Sequence, residues 1–132
     1  MLAKLVDAVI DPRRMGLAVT AVEEELIPAF LAHDGALQGY WMADERSGHV
    51  LVVTTWSDLA SLRGAAAADG AARATVGDRI GLSLRSVHTL PVLASSQETG
   101  RPSGRTDPGW IRVTWVEGVA RTVRDQLPRL HE

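Results

Sequence analysis

Residues 39–62 read GYWMADERSGHVLVVTTWSDLASL and decide the fold. This stretch contains most of two β-rich runs, Ala36–Ala43 and His49–Trp56, which are separated by the polar sequence Asp-Glu-Arg-Ser-Gly. Turn residues between two such runs predict an antiparallel hairpin. A helix is expected immediately after the second run, with Ser57 as its N-cap.

The chain before this hairpin predicts one strand and one helix. Residues 2–10 are rich in valine, isoleucine and leucine, which favours a strand. Residues 15–32 place apolar side chains at steps of three and four, which is typical of a helix. Pro28 lacks a backbone N–H group and is expected to kink this helix or end its regular part.

The chain after the hairpin predicts a second helix and a fourth strand. The helix is rich in alanine and is expected to run to about residue 76, with a break near Gly64 or Gly70. Residues 77–81 are interpreted as a connector, and residues 82–90 as the strand. This order gives an α+β fold of the ferredoxin-like, split βαββαβ kind.

The C-terminal part of the sequence has a different character. Residues 93–109 are rich in glycine, proline and serine and are interpreted as a linker between a domain at 1–92 and an extension at 110–132. The extension predicts one more strand and helix. Because both faces of its strand carry apolar side chains, we expect it to dock on a sheet edge, in cis or on a partner subunit.

Composition restricts the classes of partner. The chain has 132 residues, which suits one domain, and its net charge of −2 gives no electrostatic reason to expect nucleic acid. No apolar run has the length of a signal peptide core or a membrane span, so a cytoplasmic protein without a membrane partner is expected. The absence of cysteine excludes disulfides and cysteine-ligated metals.

Residues 1 to about 92 resemble the antibiotic-biosynthesis-monooxygenase-like (ABM-like) family of dimeric α/β barrels. The resemblance rests on the strand end Gly39-Tyr40-Trp41 with Asp44, the turn that ends at Gly48, the run Val53–Asp58 before Leu62, and Pro28-Ala29-Phe30 before Asp34-Gly35. It implies a homodimer in which two four-stranded sheets form a barrel. It also implies a pocket between the sheet and the helices of each protomer.

The resemblance implies two activities that the residues separate. Haem-degrading members use asparagine, tryptophan and histidine, and this chain contains no asparagine, so we expect no ring opening of added haemin. The other activity is cofactor-independent oxidation of phenols of the polyketide type, in which the substrate supplies the electrons. That chemistry needs an apolar cavity with polar edges and one proton acceptor or donor.

Candidate catalytic residues for such a site are Tyr40 and His88. The Tyr40 hydroxyl could donate to a substrate oxygen, and His88 could act as a general base near neutral pH. His88 is expected to share a strand face with Leu84 and Leu90. Both candidates also have structural interpretations, as satisfied hydrogen-bonding groups in a packed sheet.

Candidate substrate-binding residues are Trp41, Trp56 and Arg85. A tryptophan wall could stack on an aromatic ligand, although core packing explains both tryptophans equally. His33 and His49 flank turns and are expected to be exposed. No histidines and carboxylates have ligand spacing, so neither a metal nor a cofactor is predicted.

Two functions therefore stay open at this point. One is a small dimeric α/β-barrel enzyme, a cofactor-independent monooxygenase for an aromatic or polyketide-like molecule. The other is a non-catalytic homodimeric module of the same fold, which binds a small molecule or serves a structural role. A wide cavity containing Tyr40 or His88 would favour the enzyme, and a cavity filled by tryptophans and leucines would favour the module.

Overall fold

The structure is a computed structural model that describes residues 1–95 and 113–114. The chain divides into two compact units, Met1–Val92 and Leu93–Glu132. The second unit is described at a few positions only, so most of the predicted linker and the predicted C-terminal strand and helix lie outside the described residues. Their docking stays a prediction.

The first unit contains one antiparallel sheet of four strands. The strands are β1 (Leu2–Val9), β2 (Ala36–Ala43), β3 (His49–Trp56) and β4 (Ser83–Pro91), and their order across the sheet is β2-β3-β1-β4. Every neighbouring pair is antiparallel. The predicted α+β, ferredoxin-like fold is therefore confirmed.

The hairpin of β2 and β3 has the predicted boundaries because its turn is closed by specific backbone contacts. The Gly48 amide donates to the Asp44 carbonyl at 2.9 Å, and the Asp44 amide donates to the His49 carbonyl at 2.8 Å. Gly48 has a φ angle of 76°, which glycine adopts without steric cost. The turn therefore requires glycine at this position.

The first helical region is divided into three parts. It consists of α1 (Met15–Ala21), a π-helical segment (Val22–Leu26) and α2 (Ile27–Leu31). Within the π segment the Ile27 amide donates to the Val22 carbonyl, five residues back. Pro28 follows in the first turn of α2, where its missing N–H is tolerated. The predicted disturbance at Pro28 is thus a widened turn just before it, which spares the proline ring a clash with a preceding carbonyl.

The second helix, α3, is longer than the sequence predicts. It runs without a break from Leu59 to Ile80 and ends at Gly81, which has a left-handed φ angle of 67°. Asp58, rather than Ser57, is the N-cap and accepts the Ser61 amide at 2.7 Å. The predicted connector was wrong, because residues 77–80 continue the helix and Gly81 and Leu82 alone join it to β4.

A bulge changes the faces of β4. Leu84 pairs with Ala8 and Ser86 pairs with Asp7, so Arg85 between them has no partner in the register. Ala8 and Asp7 are adjacent on β1 and point to opposite sides of the sheet. Leu84 therefore does not share a face with His88, contrary to the prediction.

Two separate apolar clusters form the core between the helices and the sheet. One contains Ile10, Ala18, Ala21, Val76 and Ile80, and the other contains Phe30, Trp56, Leu62 and Ala65. The C-terminal end of α3 contributes to the first cluster, and its N-terminal end contributes to the second. Within residues 1–95 and 113–114, none of the helices has the length and apolar composition that a bilayer crossing requires.

Candidate functional site

A polar row crosses the sheet between the two apolar clusters. Lys4 on β1 lies opposite Thr54 on β3 and Thr89 on β4, and Thr54 lies opposite Gly39 on β2. Residues paired in this way point to the same side of a sheet. Trp56, two residues beyond Thr54, packs on Phe30 of α2, so this side contacts the helices. We call it the helix face, and the other side the second face.

Three aromatic rings form a wall at one end of the helix face. The Phe30 ring centroid lies 5.2 Å from that of Trp56 and 5.6 Å from that of Trp41, with interplanar angles of 84° and 78°. These edge-to-face contacts are favourable for aromatic pairs. A Cβ atom at Gly39 would lie 2.5 Å from the Trp41 ring, so the glycine makes room for that indole.

The indole of Trp56 is held in place by a buried hydrogen bond. Its Nε1 group donates to Thr54 Oγ1 at 3.0 Å, and only 5% of Trp56 and 7% of Thr54 are exposed. The Thr54 hydroxyl hydrogen remains available to donate to another oxygen. This hydrogen bond therefore joins Thr54 of the polar row to Trp56 of the aromatic wall.

The side of α3 that faces the sheet is apolar at both ends of the helix and charged at its centre. Leu62, Ala65, Val76 and Ile80 are buried at its two ends, whereas none of residues 66–75 is buried. Steps of three and four from Ala65 to Val76 fall on Asp69 and Arg73. Two charged residues therefore occupy the positions where a packed helix would continue its apolar stripe. Because the helix is buried at both ends and at no residue of its middle, we infer that it stands away from the sheet there, and we call this opening the cleft.

Lys4 lies on the sheet side of this cleft. Partial burial lowers the pKa of the Lys4 ammonium below its ordinary value, and the positive charge of Arg73 lowers it further. Arg73 itself donates from Nη2 to the Ala65 carbonyl at 3.1 Å, so its side chain is directed back along α3. Arg73 is exposed, and its charge acts on Lys4 across the middle of the cleft.

A histidine and a carboxylate meet on the helix side of the same cleft. His33, just after α2, hydrogen-bonds through Nε2 to Oδ2 of Asp69 on α3, and both side chains are half-buried. The His33 ring centroid lies 6.3 Å from that of Trp56. Because Nε2 faces a carboxylate, the proton of the neutral imidazole resides there and Nδ1 is left as an acceptor. The predicted exposure of His33 was wrong.

The five site residues predicted from sequence lie in different places. Trp41 and Trp56 belong to the aromatic wall of the helix face. Tyr40 pairs with Val53 and His88 pairs with Leu5, which places both on the second face. Arg85 is at the β4 bulge. Within one protomer these residues do not surround a single cavity.

The second face carries its own polar groups among apolar side chains. Tyr40 is 40% exposed, and its hydroxyl accepts a hydrogen bond from the Gln38 amide. His49, at the start of β3 on the same face, bonds through Nε2 to Oδ1 of Asp7 at 2.6 Å. This second histidine–aspartate pair is exposed, as predicted for His49. In the part of the chain that the structure describes, no three His, Asp or Glu side chains gather as metal ligands.

Sequence reasoning missed four residues of the cleft: Lys4, His33, Asp69 and Arg73. A signal for two of them was present, because Asp69 and Arg73 interrupt an otherwise apolar series on α3. The expected break near Gly64 or Gly70 hid that series, because α3 in fact continues through both glycines. The pairing of His33 with a residue 36 positions later has no local signature in the sequence.

Comparison with solved structures identifies the class of fold. HapK from Hahella chejuensis superposes with a TM-score of 0.65 at 11% identity, over 76% of this chain and 100% of that one. SnoaB, a cofactor-independent oxygenase from Streptomyces nogalater, gives 0.54 at 12% identity, over 76% and 97%. The ActVA-Orf6 monooxygenase of Streptomyces coelicolor, solved with nanaomycin D, gives 0.56 at 15% identity, over 74% and 92%.

These likenesses confirm the predicted resemblance at the level of the fold, which is that of ABM-like proteins. No model of a known protein family matches the chain, and no curated protein sequence matches it either. The residues of the cleft are therefore the basis for any statement about chemistry.

Proposed function

We propose that this protein is a cofactor-independent monooxygenase that oxidises an aromatic or polyketide-like molecule in the cleft of the helix face. Two proteins of the same fold support this proposal, namely SnoaB, a cofactor-independent oxygenase, and the ActVA-Orf6 monooxygenase, which was solved with nanaomycin D. The observation that carries the proposal for this chain is the His33–Asp69 pair beside Trp56.

The pair supplies the proton acceptor that such chemistry needs. A methylene group between two aromatic rings, as in an anthrone, must lose a proton before it can reduce oxygen. A neutral histidine oriented by a carboxylate can take this proton and becomes stabilised as an imidazolium. Of the two histidine–aspartate pairs in the described residues, this one adjoins an aromatic wall.

The reaction balances without any further reductant. His33 takes one proton from the methylene carbon, and the carbanion reduces oxygen and combines with it to form a peroxide. His33 returns the proton to that peroxide, which loses water and leaves a ketone. The sum is R2CH2 + O2 → R2CO + H2O, in which the carbon is oxidised and oxygen is reduced.

The residues predicted from sequence have distinct places in this proposal. Trp41 and Trp56 line the cleft and position the aromatic ligand by ring contacts. Tyr40, His88 and Arg85 are proposed for a second role, in a site on the second face that two protomers would complete. Substitutions in the cleft and substitutions on the second face test these two proposed sites separately.

We also propose that the protein is a homodimer whose second faces pack together as a barrel. That face presents Leu51 and Val53 of β3, Met42 of β2 and Leu90 of β4, of which Leu90 is 42% exposed. An apolar sheet face of this kind is stabilised by a second layer. Sedimentation that shows a monomer at micromolar concentration would contradict this proposal.

A binding module without catalysis is the alternative, and one observation favours it. Phe30, Trp41 and Trp56 pack on one another and fill their end of the cleft, which limits the width left for a polycyclic ligand. Such a module would bind an aromatic molecule and leave it unchanged.

The test is oxygen consumption with a panel of anthrones and hydroquinones. His33→Gln should lower kcat by about 100-fold, which is typical of the loss of a general base. His49→Gln is the matched control, since it alters the other histidine–aspartate pair and should leave kcat unchanged. Tyr40→Phe and His88→Gln test the second face in the same assay. If the unaltered protein binds a compound of the panel but neither it nor any variant consumes oxygen, the non-catalytic module would be favoured.

A further inference from the structure

We propose that Lys4 and Arg73 form an anion-binding site at the centre of the cleft, which holds an ionised oxygen of an aromatic ligand. The ionised group is a phenolate or a carboxylate, since both present the same charged oxygen at the edge of a flat ring. This inference rests on the proposed function, because the anion site lies in the same cleft. Anion binding is measured in the absence of oxygen, so its failure can be distinguished from a failure of the proposed oxidation.

The first argument is position. Lys4 occupies the middle of the helix face of β1, in line with Leu2, Val6 and Ala8. Arg73 occupies the middle of the corresponding series on α3. Such positions usually carry apolar side chains where a helix packs on a sheet, whereas here Lys4 is half-buried and Arg73 stays exposed. Two cations in facing central positions point to a ligand of opposite charge.

The second argument is charge balance. Asp69 on the same series of α3 is hydrogen-bonded to His33, and among the described residues no ion pair or hydrogen bond joins Lys4 to a carboxylate. The positive charge of Arg73 also contributes to the lowered pKa of Lys4, as two like charges in a partly dry cleft require. An anion between them would relieve this repulsion.

The third argument is the supply of hydrogen-bond donors. Arg73 uses Nη2 toward the Ala65 carbonyl, and its guanidinium carries five N–H groups in all. The Thr54 hydroxyl accepts from Trp56 and can donate to a further oxygen. Lys4, Thr54 and Arg73 thus offer donors to one oxygen, next to an aromatic wall for the ring that bears it.

The chain offers a direct probe, because Lys4 is its single lysine. Reductive methylation with ¹³C-formaldehyde labels Lys4 and the N-terminus while both keep their charge. We would titrate this protein under argon with 2-naphthoate, 2-naphtholate and the neutral naphthalene-2-carboxamide, and record the two ¹³C resonances. The N-terminal resonance is the internal control.

We expect at least one anion to shift the Lys4 resonance and raise the Lys4 pKa, while the carboxamide does neither. A response to 2-naphthoate alone identifies a carboxylate ligand, and a response to 2-naphtholate alone identifies a phenolate. No response to either anion, or an equal response to the carboxamide, would overturn the proposal.

Matched variants test the same site by affinity. Lys4→Met and Arg73→Met remove the charge but keep an unbranched apolar stem, and each should weaken binding of the responsive anion by about 10- to 100-fold. Arg63→Met, at an exposed position of α3 outside the cleft series, should leave the affinity unchanged. His33→Gln should retain binding even where oxidation is lost. Equal affinity of all four variants and the unaltered protein would refute the proposal.

Discussion

The hydrogen bond from Trp56 Nε1 to Thr54 Oγ1 gives a quantitative test of how the cleft is built. It is 3.0 Å long, and both residues are less than 10% exposed. Thr54→Val keeps the shape of the side chain but leaves the indole N–H without an acceptor, which should cost about 1–3 kcal/mol. For a domain of this size that corresponds to a decrease in Tm of about 4–12 °C.

The reciprocal change isolates the bond itself. Trp56→Phe retains an aromatic ring against Phe30 but loses indole area and the donor, at a cost of about 2 kcal/mol. In the double variant neither partner remains, so no buried polar group is left unpaired. We therefore expect the double variant to be about 1–2 kcal/mol more stable than the sum of the single changes predicts.

Urea unfolding followed by far-UV circular dichroism at one protein concentration measures all four proteins. Thr75→Val is the control, because it removes an exposed hydroxyl that donates to the Ala71 carbonyl of its own helix, and its change should stay within about 0.5 kcal/mol. Additive single costs in the double variant would show that Trp56 is held by ring contacts alone. The link between the polar row and the aromatic wall would then have no energetic basis.

Four further predictions concern the backbone and the titrating groups. Gly48→Ala should cost more than about 2 kcal/mol in urea unfolding, because φ is +76° and the new Cβ would lie 2.1 Å from a backbone carbonyl oxygen. Gly64→Ala meets nothing within 4 Å in α3 and should instead stabilise by about 0.5–1 kcal/mol. The cap hydrogen bond from the Ser61 amide lowers the pKa of Asp58 below 3.8 in the folded protein. The stabilisation from this carboxylate is therefore present above pH 3.8 and is lost as pH falls through the lower folded pKa. Asp58→Asn should make Tm depend less on pH in that acidic range. Burial lowers the pKa of Lys4 below 10.5, so the unfolded chain binds more protons and stability should rise as pH rises toward 10.5, a slope that Lys4→Met should remove.

The strand boundaries could be predicted because local chemistry determines them. The Asp44–Gly48 turn needs glycine at its end, aromatic residues precede it in β2 and β-branched residues follow it in β3, so both strands begin and end where expected. The end of α3 could not be predicted in this way. Gly77 resembles a helix breaker in the sequence, yet it is buried within the helix, and a Cβ there would lie 3.4 Å from the Leu82 side chain. Tertiary packing therefore decides the role of this glycine.

Only part of the candidate site could be predicted from the sequence, again because tertiary structure decides the rest. Trp41 and Trp56 are recognisable as large aromatic residues near a strand–helix junction. Tyr40 and His88 were assigned to a pocket without knowledge of which face each strand residue occupies, and the register places both away from the helices. The bulge at Arg85 reverses the faces within β4, and no residue pattern announces it.

The π-helical segment Val22–Leu26 has a consequence for the direction in which the end of this helix faces. In an uninterrupted α-helix Phe30, twelve residues after Ala18, would be rotated from it by about 120°. A π turn holds about one residue more than an α turn, which takes back about 100° and brings Phe30 to within about 20° of Ala18. Both residues are buried, one in each apolar cluster. The extra residue is thus an insertion that sets angular phase, and deletion of one of the three glutamates in the segment should rotate Phe30 and His33 away from Trp56 and Asp69 without altering any of them.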